Sequence, residues 1–220
     1  MTHTGKTIVA AFDFDGTLTR HDTLLPFLRY FAGTKGFAAT MIRLAPVLLV
    51  YALGMLRNDK AKESVLRRFF AGRPLAQVDA AGARFAASRL PALLRMTALA
   101  RFDWHKRQGH TCVLVSASLA HYLEPWARQA GFDHVIASRL ETDAQGFITG
   151  RLVEGNCYGA EKARRLRALL APKQPCTLYA YGDSRGDREM LALADHPYFR
   201  TMPKEHLTET IPSPSGRGPG

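Results

Sequence analysis

The chain has 220 residues, 46% of them hydrophobic and 22% charged, with a formal charge of +11 and a pI near 10.0. That length and apolar content suit one buried core with room for a small inserted domain, and exclude a disordered or fibrous chain. The charge favours anionic partners, and three scattered cysteines (Cys112, Cys157, Cys176) without a Cys-x-x-Cys pair exclude a disulfide framework and a zinc site.

The first six residues are polar and lack the apolar core of a secretory signal, so a cytoplasmic chain is expected. Residues 7–12 are a short β-branched and apolar run ending at acids, which predicts a buried strand. Comparable runs at 111–115 and 177–181, and a weaker one at 133–137, alternate with helical patterns at 91–107, 119–130, 160–170 and 188–194. Strands alternating with helices predict an α/β fold with a Rossmann-like parallel sheet, whose ligands bind at the carboxyl ends of the strands. Between the first two strands, helical patterns at 22–31, 36–56, 59–70 and 75–88 predict an inserted helical cap. Gln145-Gly146 between two short apolar runs predicts a hairpin flap. The expected division is a catalytic core of 1–20 and 90–205, a cap of 21–89, and a disordered Pro/Gly/Ser tail of 206–220.

The longest apolar stretch, 44–56, is too short to span a bilayer, so a buried cap helix is the default and an interfacial membrane helix the alternative. Residues 20–73 hold ten Lys and Arg against three acids, a net +7, around that stretch. This combination suits an anionic bilayer, and the alternative reading places the chain peripherally at the cytoplasmic face of the inner membrane. No nucleic-acid partner is expected, because the basic segment carries no recognised binding motif.

Asp13 and Asp15 close the first strand, and their two-residue spacing points both the same way if strand geometry continues. Gly16 and Thr17 then turn the chain and offer backbone N–H groups to phosphate oxygens. Asp183 and Asp187 follow the strand at 177–181 on the same edge. Four converging carboxylates require a cation, and oxygen ligands of this kind select Mg²⁺.

The motif Asp13-Phe14-Asp15-Gly16-Thr17 and the motif Gly182-Asp183-Ser184-Arg185-Gly186-Asp187 resemble those of the haloacid dehalogenase superfamily. Ser116 at a strand end and Lys162 at a helix start complete the set in family order. The resemblance implies a Mg²⁺-dependent phosphatase acting on a phosphate monoester. In it Asp13 is the nucleophile and Asp15 the general acid, then the base. The metal is held by Asp13, Asp183 and the Asp15 main-chain carbonyl. Gly16, Thr17, Ser116, Ala117 and Lys162 bind the phosphate, and Asp187 orients Lys162 or a metal-bound water. The cap position is similar to the phosphoserine-phosphatase branch, subfamily IB. That enzyme has a Glu nine residues after its nucleophile and a Ser-Gly-Gly turn, where this chain has Asp22 and Ser116-Ala117-Ser118. The apolar, basic block 24–70 instead resembles that of phosphatidylglycerophosphatase C and its relatives. A lipid phosphate is therefore the leading substrate class and a small soluble ester the alternative.

Overall fold

Residues 7–12 combine β-branched and small apolar side chains, and they form a central strand of a six-stranded sheet, buried from Val9 to Phe12. The computed structural model describes residues 7–173 and 175–203, so the tail expected to be disordered lies outside the described residues. In chain order the elements are β1 (Thr7–Phe12), α1 (Leu24–Ala52), α2 (Asn58–Phe70), α3 (Leu75–Ser88), α4 (Met96–Arg107), β2 (Thr111–Leu119) and α5 (Ala120–Ala130). Then come β3 (His134–Thr142), β4 (Ile148–Val153), α6 (Ala160–Leu170), β5 (Cys176–Gly182), α7 (Arg188–Leu191) and β6 (His196–Phe199).

The strand order is β4-β3-β2-β1-β5-β6, parallel except for the antiparallel β3–β4 pair. The chain leaves β1 for β2 on one side and returns to β5 on the other, so the order reverses at β1. A crevice opens at such a reversal, outside the carboxyl ends of the strands. Side chains alternate across the sheet. Ala10, Phe12, Cys112 and Leu114 face one core, which continues into α4, α5 and the inserted helices. Val9, Ala11, Val113, Val115 and Leu178 face the other core, with Leu166 and Leu170 of α6.

Several elements differ from the sequence expectation. The weaker run at 133–137 continues into the first arm of the expected hairpin as one strand, β3, which pairs with β4. The helix expected from 91 begins at Met96, after a 3₁₀ turn at Leu90–Leu93. β6 has no counterpart in the expected strands, because four residues containing Pro197 carry little strand signal. Proline is tolerated there because β6 is an edge strand.

The two helices expected at 22–31 and 36–56 are halves of α1, broken at Gly33 (φ 70°, ψ 164°), and the second half ends at Ala52. The largest correction concerns its burial. Leu44 is buried, but Ile42, Leu49, Leu53 and Met55 are 74%, 61%, 65% and 76% exposed. The apolar stretch is therefore not cap core. The length argument against spanning also fails, since α1 is long and apolar enough to cross a membrane. Its first half is nonetheless tied into the fold: Phe27 is fully buried and packs on Tyr122 of α5 and Phe85 of α3, with ring centroids 4.8 and 5.4 Å apart.

Candidate active site

A cavity of about 610 Å³ lies over the carboxyl end of β1. Asp13, Asp15, Gly16, Ser116, Ala117, Lys162 and Asp183 line it, so seven of the expected site residues meet there. Thr17 and Asp187 do not line it; they lie behind the lining and hold it in place. Thr17 Oγ1 donates to Asp13 Oδ2 at 3.1 Å. Asp187, fully buried, accepts from Lys162 Nζ at 2.6 Å.

Asp13 and Asp15 share the cavity for a reason other than strand alternation. β1 stops at Phe12, and residues Phe14–Leu18 form one wide π-type turn in which the Thr19 N–H donates to the Phe14 carbonyl at 3.0 Å. The turn passes through Gly16 at φ 77°, a left-handed conformation open to glycine. A Cβ at Gly16 would also lie 2.1 Å from Asp183 Oδ2, so only glycine lets the two acidic loops approach this closely.

Lys162, at the start of α6, is buried and donates to Asp13 Oδ1 as well as to Asp187. Burial alone would lower its pKa, but the two carboxylates outweigh it and hold the ammonium well above its ordinary value. Burial, with the charges of Asp187 and Asp15, pushes Asp13 up to about 7 despite Lys162. Burial likewise pushes Asp15 up to about 6, with Asp22 adding to it. Hydrogen bonds oppose that rise: Oδ1 accepts from Thr23 N at 2.9 Å and Thr23 Oγ1 at 2.6 Å, while Oδ2 accepts from Ser118 Oγ. A carboxyl titrating near neutrality is suited to give and take a proton.

Asp187 is held below its ordinary pKa, because the Lys162 charge and the Ser184 donors outweigh its burial. Its Oδ2 accepts from Ser184 N at 2.9 Å and Ser184 Oγ at 2.7 Å. Asp183 differs: its Oδ1 is buried with no hydrogen-bond partner among the described residues, and burial raises its pKa. Carboxylate oxygens of Asp13, Asp183 and Asp187 lie within 4.8 Å of one another. An orphaned buried oxygen beside a second carboxylate, with oxygen donors alone, fits a hard divalent cation such as Mg²⁺. Asp187 already accepts from Lys162 Nζ, Asp183 N, Ser184 N and Ser184 Oγ, whereas each Asp13 oxygen accepts from one donor and Asp183 Oδ1 from none, which leaves Asp13 and Asp183 as the side chains able to hold it.

Thr23, Ser118, Lys62 and Asn156 also belong to the site, although the sequence pattern does not single them out. Thr23 carries a weak signal, a hydroxyl next to Asp22 at the start of α1. Lys62 is expected on the basic flank of the apolar stretch. Instead it faces into the cavity and donates to the Ala117 carbonyl and to Asn156 Oδ1 at 2.8 Å.

These acids, in this order on this sheet, belong to one class of enzyme. Residues 10–192 match the family model of haloacid dehalogenase-like hydrolase, and the chain belongs to that family. Among individual proteins, the chain is 38% identical over 193 residues to Protein CicA of Caulobacter vibrioides, covering 88% of this chain and 86% of that one. It is 30% identical over 194 residues to a Mycobacterium tuberculosis protein described as "probable phosphatase", covering 85% and 66%. A Bordetella pertussis crystal structure of unknown function superposes with a TM-score of 0.75 at 26% identity, covering 86% and 87%. Substrate-bound phosphoserine phosphatase superposes with a TM-score of 0.60 at 18% identity, covering 86% and 84%, a likeness of fold.

Proposed function

We propose that the protein hydrolyses a phosphate monoester by way of a phosphoryl group carried on Asp13, with a lipid-type alcohol as the leaving group. The observation that carries the reaction is the pairing of Asp13, fixed by Thr17 and Lys162, with Asp15, fixed by Thr23 and Ser118, in one cavity. Asp13 forms a new bond to phosphorus as the bond to the ester oxygen breaks, and Asp15 gives that oxygen its proton. Asp15, now a base, takes a proton from the water that attacks phosphorus and releases Asp13 and inorganic phosphate. Lys162 and the Ser116 hydroxyl stabilise the equatorial oxygens, and Asp187 keeps Lys162 aimed. Mg²⁺ held by Asp13, Asp183 and the Asp15 carbonyl would screen the repulsion between the dianionic ester and the attacking carboxylate.

The substrate reading rests on the cavity and on α1. Above the polar floor, the cavity wall is apolar: Leu24, Leu25, Leu48, Tyr51, Ala61 and Val65. Leu49 on α1, and Leu53 and Met55 in the turn that follows it, are exposed, and Arg43 and Arg57 flank this segment in the chain. The opposite face packs onto α2, where Phe37 meets Phe69 at 5.9 Å and Leu44 is buried. A helix with one face covered and one apolar face free, among basic residues, suits the plane of an anionic bilayer better than a crossing. We take residues 21–89 as the cap that brings this face to the membrane.

Hydrolysis of p-nitrophenyl phosphate with Mg²⁺, and its loss in EDTA, tests the reaction. Full activity in rigorously metal-free protein would remove the metal from the account. A lipid phosphomonoester presented in phosphatidylglycerol vesicles, compared with phosphoserine, tests the substrate. A higher kcat/KM on phosphoserine would favour the small soluble ester instead.

A further inference from the structure

The two side chains that hold Asp15 are themselves tied to one hydroxyl. Tyr122 of α5 is fully buried, and its Oη lies 3.0 Å from Thr23 Oγ1. The same hydroxyl reaches Ser118. The Tyr122 ring is held in place by Phe27 of α1 and Phe85 of α3, whose ring centroids lie 4.8 and 5.5 Å from its own. Tyr122 thereby joins two parts of the molecule. Thr23 caps the first helix of the inserted segment, whereas Ser118 ends β2 of the sheet.

Counting protons sets the direction of each bond. A Ser or Thr hydroxyl has one proton to give and two lone pairs to receive. With Asp15 ionised, Thr23 spends its proton on Oδ1 and Ser118 spends its own on Oδ2. Toward both of them the phenol can therefore only donate. Burial holds Tyr122 well above its ordinary pKa, so the phenol keeps the proton it donates. Oδ1 of Asp15 also accepts from Thr23 N, which fills both of its lone pairs. Oδ2 accepts from Ser118 alone among the described residues and keeps one lone pair for a proton.

We infer that Tyr122 is a positioning residue for the general acid: its hydroxyl orients Thr23 and Ser118 so that Oδ1 of Asp15 is saturated and Oδ2 is the oxygen that exchanges the proton. This rests on the phosphatase reading and deepens it at the acid. The proton passes from Oδ2 to the ester oxygen as the bond from that oxygen to phosphorus breaks, and Oδ2 regains a proton from the attacking water. Tyr122 touches neither substrate nor metal and acts only through the two hydroxyls.

The test compares glycerol 3-phosphate, whose alkoxide leaves poorly, with p-nitrophenyl phosphate, whose phenolate leaves unaided. Tyr122→Phe removes only the hydroxyl. Its kcat on glycerol 3-phosphate should fall by about 3–10-fold, as loss of one neutral hydrogen bond provides, with KM and the Mg²⁺ requirement unchanged. Its kcat on p-nitrophenyl phosphate should stay within about twofold of wild type, because that leaving group needs no acid, and this also reports a folded variant. In Asp15→Asn protein the same substitution should cost nothing further. Phe27→Leu, which loosens the packing on the ring and spares the hydroxyl, should lower Tm and keep the wild-type ratio of the two rates. Should Tyr122→Phe not fold, Thr23→Val cuts the link at its other end and should show the same split. A wild-type ratio in the folded variant, equal losses on both esters, or a loss that persists in Asp15→Asn overturns the inference alone. Wild-type protein inactive on both esters, or Asp15→Asn equally impaired on both, removes the acid reading and the inference with it.

Discussion

Asp15 accepts from three donors on its two oxygens, and burial still pushes its pKa up to about 6, which suits it to proton transfer. A general acid matters most when the leaving oxygen is basic. Asp15→Asn should therefore cost about 10²–10⁴-fold on glycerol-type esters and far less on p-nitrophenyl phosphate, whose phenolate leaves unaided. Equal losses on both would remove the acid role. Gly16 offers a second test. Gly16→Ala puts a Cβ 2.1 Å from Asp183 Oδ2 at φ 77°, so Asp183 must move. The expected result is a rise of about 10–100-fold in the Mg²⁺ needed for half-maximal activity, the range seen when a ligand's support is disturbed. An unchanged Mg²⁺ requirement would separate Asp183 from the metal. The acids themselves are legible in the sequence because Asp13 and Asp183 directly follow apolar strands, and Asp15 and Asp187 come two and four residues after them. Thr23, Ser118 and Lys62 are not, because their contacts cross 8, 103 and 55 residues and arise only once the chain is folded.

At the scale of elements, the second half of α1 separates what hydropathy tells from what it does not. The sequence shows an apolar stretch among basic residues, but the same pattern describes a buried cap helix and an exposed docking face. Only packing distinguishes them, and here Leu44 faces inward while Leu49, with Leu53 and Met55 just past the helix end, faces solvent. Fully burying such a side chain is worth about 1.5–3 kcal/mol, so partial insertion of three of them, with Arg43 and Arg57 near anionic headgroups, gives measurable binding. Leu49→Ser, Leu53→Ser and Met55→Ser together should abolish co-flotation with phosphatidylglycerol vesicles. None of the three lines the catalytic cavity, so p-nitrophenyl phosphate turnover should be unchanged. Wild-type protein that ignores these vesicles would leave the face for some other use. Lys62 does not belong in this set, because its ammonium points into the cavity rather than to the surface. The strand pattern is legible in the same limited way. Buried parallel strands announce themselves as apolar runs, whereas β6, an edge strand containing Pro197, does not.

For the whole molecule, the sheet order explains why residues as far apart as Asp13, Ser116, Lys162 and Asp183 meet. The reversal at β1 leaves a crevice at its carboxyl end, β2 and β5 deliver Ser116 and Asp183 on either side, and α6 brings Lys162 up beneath them. The helices α1 and α2 then close the crevice from above with an apolar wall and one cation. The central claim is that Asp13 carries the phosphoryl group between two half-reactions. Acid quench of the enzyme during turnover, followed by peptide mass analysis, tests it most directly. One phosphoryl adduct is expected on the peptide containing Asp13, lost in Asp13→Asn together with several orders of magnitude of activity. Turnover by Asp13→Asn at near wild-type rate, with no adduct on the wild-type peptide, would contradict it.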